Sequence, residues 1–181
     1  RRENHGSGLN NICEALLRLS KRQDVEIVYP VHLNPKVKNT VHSKLSGISN
    51  VHLIEPMDYN EFVFLMKHSY LVITDSGGIQ EEAPSLGIPV LVTRNTTERP
   101  EAVEAGTVEL VGTQTGRILT SAVELLDNPE LYQEKTSINN PYGDGKASLK
   151  ILEKIYDHFG PFQDNLDLVP PSLFTVVKLL Q

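Results

Sequence analysis

Residues 70–92 read "YLVITDSGGIQEEAPSLGIPVLV". Two apolar, β-branched runs, 70–75 and 89–93, flank a segment of small residues, acids and one proline. Runs without polar alternation mark strands covered on both faces, and a connection long enough to hold a helix makes such a pair parallel. The pattern therefore predicts two central strands joined by a crossover over "SGGIQEEAPSLG". Gly87 is placed to end the crossover helix, and Pro89 to open the next strand, where a missing N–H does least harm.

The same alternation continues on both sides. Upstream, apolar residues at Leu9, Ile12, Ala15, Leu16 and Leu19 have helical spacing, and residues 9–22 read as an amphipathic helix. A strand follows at 25–31, a helix at 35–47 ending on Gly47, a strand at 51–54 and a helix at 58–69 with Asp58 as its N-cap. Downstream, "TVELVG" (107–112) reads as the last strand, 116–128 and 129–137 as helices, "NPYGDG" (140–145) as a turn cluster, and 146–159 as a patterned helix. The expected class is α/β, a Rossmann-like parallel sheet with helices on both faces. A doubly wound domain opens on a strand, whereas here "RREN" leads straight into a helix, so a first strand is expected outside the sequence. Past Gly160 three prolines break the alternation. The expected organisation is a domain over 1–159 and a tail over 160–181, in which "LFTVVKLL" is open between strand and helix.

With 181 residues, 39% hydrophobic and 22% charged, the chain can build one core, and no apolar run approaches the length of a membrane span. Its start has no apolar stretch of the kind a secretory signal needs, so a cytoplasmic location is expected. A net charge of −6 gives no basic footprint for nucleic acid, yet leaves room for a small anion held by backbone amides and one or two arginines. Cys13 cannot form an internal disulfide and lies in the apolar stripe of the first helix, the position of a small core residue rather than a nucleophile. No Cys/His cluster or acidic triad has metal-ligand spacing, and no cofactor is called for.

In an open parallel sheet, ligands bind beyond the carboxyl ends of the strands. Asp75, Ser76, Gly77 and Gly78 take that place after the first run. Glycines let a backbone approach a ligand closely, and a phosphate or diphosphate suits the unpaired N–H groups there. A plain tight turn with Asp75 or Ser76 as cap is the competing reading. Glu81 and Glu82 follow at the mouth of the same pocket. Glu82 is favoured to accept two hydrogen bonds from the vicinal hydroxyls of a ribose, against the alternative of a solvated acid.

Together "RREN", "YPVHLNP" (29–35), "DSGGIQEEAPSLGIPVLVTRNTTERPEAVEAGTVELVGT" (75–113) and "NPYGDG" resemble the non-hydrolysing UDP-N-acetylglucosamine 2-epimerases, in order and spacing over residues 1–159. The resemblance implies the carboxyl-terminal, UDP-binding half of a two-domain, glycosyltransferase-B-like enzyme. By motif it implies that Ser76, Gly77 and Gly78 contact the diphosphate and Glu82 the ribose. It implies that Phe62 supports the uracil, the alternative being a core side chain. Arg99 would meet the anionic part of the substrate through its forked donors, the alternative being a surface pair with Glu98 or Glu101. His32 would touch the domain cleft, and Arg1 belongs to a strand-end motif whose preceding threonine and histidine are absent. The other histidines, His42, His52, His68 and His158, are read as ordinary surface or core residues.

The implied activity is the reversible conversion of UDP-GlcNAc to UDP-ManNAc by elimination and re-addition of UDP. The acid and base groups are expected mainly in the missing amino-terminal domain, so this chain alone would bind UDP weakly and turn over little. A homodimer is implied for the full protein. The rival readings are a nucleotide-sugar glycosyltransferase domain and a non-catalytic UDP-sugar binding module.

Overall fold

The computed structural model describes residues 6–137, 141–143 and 145–160. Helices and strands alternate along them as α1 (Ser7–Leu19), β1 (Ile27–Pro30), α2 (Pro35–Leu45), β2 (Val51–Ile54), α3 (Tyr59–Lys67), β3 (Val72–Thr74), α4 (Ile79–Ser85), β4 (Val90–Val92), α5 (Pro100–Ala105), β5 (Val108–Leu110), α6 (Thr115–Asp127), α7 (Pro129–Thr136) and α8 (Ala147–Phe159). Every strand pairing among the described residues is parallel. Parallel neighbours need crossovers, and α2, α4 and α5 supply them. The expected α/β class is the observed one. Helix α5 was not foreseen; Pro100 sits at its N1 position and Gly106, at φ 83°, closes it.

The strands form two sheets among the described residues, β1-β2 and β3-β4-β5. β4 is central, and Val90, Leu91 and Val92 are all buried. β3 was expected to be central too; among the described residues β4 is its one strand neighbour, and Val72, Ile73 and Thr74 each keep partial exposure. An apolar strand shows that its faces are covered, but says nothing of how many strands lie beside it.

Alternation along β4 divides the core. Leu91 joins a cluster with Ile12, Leu16, Val41, Leu45, Ile118 and Leu125, against which Ile27 and Tyr29 of β1 and Ile73 of β3 pack. Val90 and Val92 point the other way, into a cluster with Met66, Ala83, Ile88, Ala102 and Val108. Helices on both faces explain why this strand carries no polar residue. Both sheets thus border one core, roofed by α1, which packs on α2 and α6. Cys13 lies in that core, fully buried, as its place in the apolar stripe predicted.

Polar contacts tie the periphery. Arg22 bonds both Asp24 and Asp127, each at 2.7 Å through Nη2, joining the end of α1 to the end of α6. Asn50 donates from Nδ2 to the carbonyls of Ser20 and Val25. Tyr70 and Tyr132 stack with ring centroids 3.8 Å apart, the Tyr132 hydroxyl donating to the Tyr70 carbonyl and the Tyr70 hydroxyl to that of Leu125.

By compactness the chain divides into Arg1–Tyr142 and Gly143–Gln181. The second unit contains α8, an amphipathic helix that exposes Leu149, Ile151, Leu152, Tyr156 and Phe159. The boundary expected from sequence falls after Phe159, and the tail beyond it, "LFTVVKLL" included, lies outside the described residues.

Candidate functional site

The loop from Asp75 to Gly78 leaves the carboxyl end of β3 and enters α4. In a parallel sheet the loop from Thr93 to Arg99 leaves β4 at the same end, and the two meet. Thr93 donates its N–H to the Thr74 carbonyl at 2.9 Å, which carries the pairing one residue past the strands. The Ser76 N–H is spent on the Thr74 hydroxyl at 3.0 Å, which tightens the turn.

Neither Gly77 nor Gly78 has a positive φ; Gly78 is already helical at φ −63° and ψ −42°. Conformational freedom is therefore not what these positions need. Closeness is. A Cβ on Gly77 would stand 2.7 Å from Glu98 Oε1, and one on Gly78 would stand 3.5 Å from Glu82 Oε1. Two carboxylates thus lean over the two glycines.

Gln80 is fully buried at the start of α4 and holds the loops together. Its Nε2 donates to the Ser76 carbonyl at 3.1 Å, and its Oε1 accepts from the Thr97 hydroxyl at 2.6 Å. Thr97 in turn accepts the Arg99 N–H at 3.0 Å. Arg94, only 5% exposed, reaches Glu98 Oε2 from Nη2 at 2.6 Å. The Arg99 Nε donates to the Glu81 carboxylate, which together with the charges around it keeps the guanidinium firmly protonated.

Glu82 donates its N–H to the Gly78 carbonyl at 3.0 Å, so its side chain rises from the first turn of α4. Its charge, with burial and a hydrogen bond to its carboxylate, raises the pKa of the Tyr59 phenol at the start of α3. Across the core, burial foremost and then the charges of Cys13 and Asp75 raise the pKa of Tyr29 on β1.

The sequence-predicted residues divide accordingly. Ser76, Gly77, Gly78 and Glu82 come together in one loop and turn. Arg99 stands beside them, paired with Glu81 rather than with the Glu98 or Glu101 carboxylates. Phe62 is half-buried on α3 and packs against the second core cluster. His32 is exposed at the carboxyl end of β1, its Nδ1 accepting the Asn34 N–H at 3.0 Å. Arg1 lies outside the described residues. Sequence reasoning missed Gln80, Arg94 and Thr97, gave Glu98 only a pairing role, and left Tyr59 unremarked. The one available signal was position: all but Tyr59 follow a strand of the same sheet on its carboxyl side.

Chemically, the arrangement offers a close-approach backbone surface at Gly77 and Gly78, a serine hydroxyl, a guanidinium and carboxylate acceptors. That set can hold the anionic and diol parts of a ligand. Among the described residues no group of three His, Cys, Asp or Glu side chains could hold a metal ion, and no helix is long and apolar enough to cross a membrane.

A family model described as UDP-N-acetylglucosamine 2-epimerase matches residues 1–156. The UDP-N-acetylglucosamine 2-epimerase of Escherichia coli K12 is 55% identical over 156 residues, 86% of this chain and 42% of that protein. A crystal structure of the Neisseria meningitidis enzyme bound to UDP-GlcNAc superposes with a TM-score of 0.81 at 53% identity, covering 87% of this chain and 43% of that one. A Methanocaldococcus jannaschii UDP-GlcNAc 2-epimerase in complex with UDP-GlcNAc and UDP superposes at 0.72 with 35% identity, covering 87% and 43%. The chain spans less than half the length of the curated relatives it matches. Its loops and sheets are thus one half of a Rossmann-like, two-domain architecture, and the chain belongs to the UDP-N-acetylglucosamine 2-epimerase family.

Proposed function

We propose that this chain is the UDP-holding half of an enzyme that interconverts UDP-GlcNAc and UDP-ManNAc. The observation that carries the reading is the 53% identity to a relative solved with UDP-GlcNAc, beside a family match over residues 1–156 that takes in the glycine loop. In this reading Ser76, Gly77 and Gly78 face the diphosphate, Glu82 accepts from the ribose hydroxyls, Phe62 lies along the uracil, and Arg99 turns from Glu81 toward the phosphates. His32 and Arg1 line the cleft toward the rest of the protein.

In the reaction, the C2 proton of the sugar leaves to a base as the anomeric C–O bond breaks, its electron pair going to UDP. A C1–C2 double bond forms. Re-addition of UDP at C1 with protonation of C2 from the opposite face gives the epimer. Charge builds on the leaving diphosphate, so fixed donors around it lower the barrier. Keeping UDP in place makes the return step intramolecular. The acid and base come mainly from the remainder of the protein. The UDP-binding domain spans residues 1–159 with 160–181 as a tail, a further strand lies between the open edges of β1 and β3, and the whole protein is a cytoplasmic homodimer.

The test is a proton NMR time course of UDP-GlcNAc with the whole native protein and with this chain. The expected result is UDP-ManNAc without any acceptor from the former, and saturation transfer to the uridine without product from the latter. Transfer only when an acceptor sugar is added would mark a glycosyltransferase. Binding without C2 inversion by the whole protein would mark a sensing module.

A further inference from the structure

Glu98 is a carboxylate set against the loop to which the preceding reading assigns a diphosphate. Its Oε1 is 2.7 Å from the point a Cβ on Gly77 would occupy, so it fills the space that the missing side chain leaves. Its Oε2 is 2.6 Å from Nη2 of Arg94, which is 5% exposed just past the end of β4. The neighbouring residues hold it there. Thr97 is bonded to the buried Gln80 and Arg99 to Glu81, so the segment carrying Glu98 is pinned on both sides to the start of α4.

A carboxylate and a phosphoryl group are both anionic acceptors. Two like charges brought this close repel each other at a protein surface. An anion that approaches Gly77 as closely as its bare backbone allows meets Glu98 first. Arg94 then stands behind whichever anion is present.

We propose that Glu98 determines which ligands this loop accepts: its carboxylate occupies the anion position at Gly77, and a nucleoside diphosphate binds by displacing it. The inference rests on the diphosphate reading of the loop. It explains why a glycine is needed at 77, where φ is not positive, and why a buried arginine is paired with a residue of an exposed loop. Displacement opposes binding of the diphosphate and leaves the nucleoside part untouched.

The experiment is calorimetric titration of the whole native protein with UDP and with uridine. Glu98→Gln, which still accepts from Arg94 but carries no charge, is expected to bind UDP about tenfold tighter, a gain of about 1.4 kcal/mol, with uridine unchanged. Glu98→Asp retains the charge that Arg94 needs, withdraws it from Gly77, and is expected to move UDP affinity in the same direction. It decides the matter should the glutamine variant not fold. Unchanged or weaker UDP binding in the variants, or equal tightening of UDP and uridine, overturns the proposal. An unmodified protein that binds UDP no better than uridine overturns instead the diphosphate reading on which it rests.

Discussion

The Thr97 hydroxyl donates to Gln80 Oε1 at 2.6 Å, and Gln80 donates onward to the Ser76 carbonyl at 3.1 Å. A residue beyond β4 thereby fixes the loop beyond β3. Thr97→Val keeps the shape and removes the hydroxyl, leaving a fully buried amide oxygen and the Arg99 N–H without it. The expected loss is about 1–3 kcal/mol of stability, read from urea denaturation, with weaker UDP binding alongside.

Gly77 and Gly78 differ sharply in what a side chain would meet. Gly78→Ala puts its Cβ in ordinary contact, 3.5 Å from Glu82 Oε1, at a position that already has helical angles, and should raise stability by about 0.4–1 kcal/mol through the less free unfolded chain. Gly77→Val drives into a carboxylate anchored by Arg94 and covers the backbone itself. UDP titration should show near-complete loss for Gly77→Val and near-native affinity for Gly78→Ala.

Glu82→Gln should weaken UDP binding, because one ribose acceptor becomes an amide that also donates. The same variant has a second, ligand-free readout. The Glu82 charge is the foremost cause of the raised Tyr59 pKa, so its removal should bring the phenol's midpoint down toward the ordinary tyrosine value. Absorbance titration near 295 nm, with Tyr59→Phe to identify the signal, measures it.

Burial pushes the Cys13 thiol up to about 11 from an ordinary value of 9.0. The folded state therefore keeps a proton that the unfolded chain releases. Stability from the neutral thiol is intact below pH 9, falls as pH rises toward 11, and levels off above it, a total of roughly 2–3 kcal/mol. Denaturation curves across that window should show the decline, and Cys13→Ala should lack this component of it. Alkylation of Cys13 in the native protein should be slow at pH 8.

Much of this was readable in the sequence because it depends on local periodicity. The stripe Leu9, Ile12, Leu16, Leu19 is the buried face of α1, and β2 occupies the residues 51–54 expected of it. The two-faced core around β4 followed from its lack of polar residues. What was not readable depends on partners far along the chain. β3 and β4 carry the same apolar signal, yet among the described residues β4 has strand neighbours on both sides and β3 on one. Gln80 and Thr97 are unremarkable polar residues until the fold brings them together. The glycine pair was read for close approach of a ligand to the backbone; neither φ is positive, and the carboxylate of Glu98 that a Cβ at 77 would meet comes from a loop that no local pattern links to it. For Phe62, His32 and Arg99, only the family motif lifted them above core or surface readings, and of these the structure places Arg99 beside the glycine loop.

The stacked pair of Tyr70 and Tyr132 has a practical consequence. The chain has no tryptophan and six tyrosines, so its near-ultraviolet signal comes chiefly from phenol rings. Two of them are held face to face, 3.8 Å between centroids, across the seam where α7 meets the start of β3. Electronic coupling between rings that close gives a dichroic band that vanishes when they part. The molecule therefore carries its own label-free optical gauge of whether its last helix of the first unit is seated on the sheet.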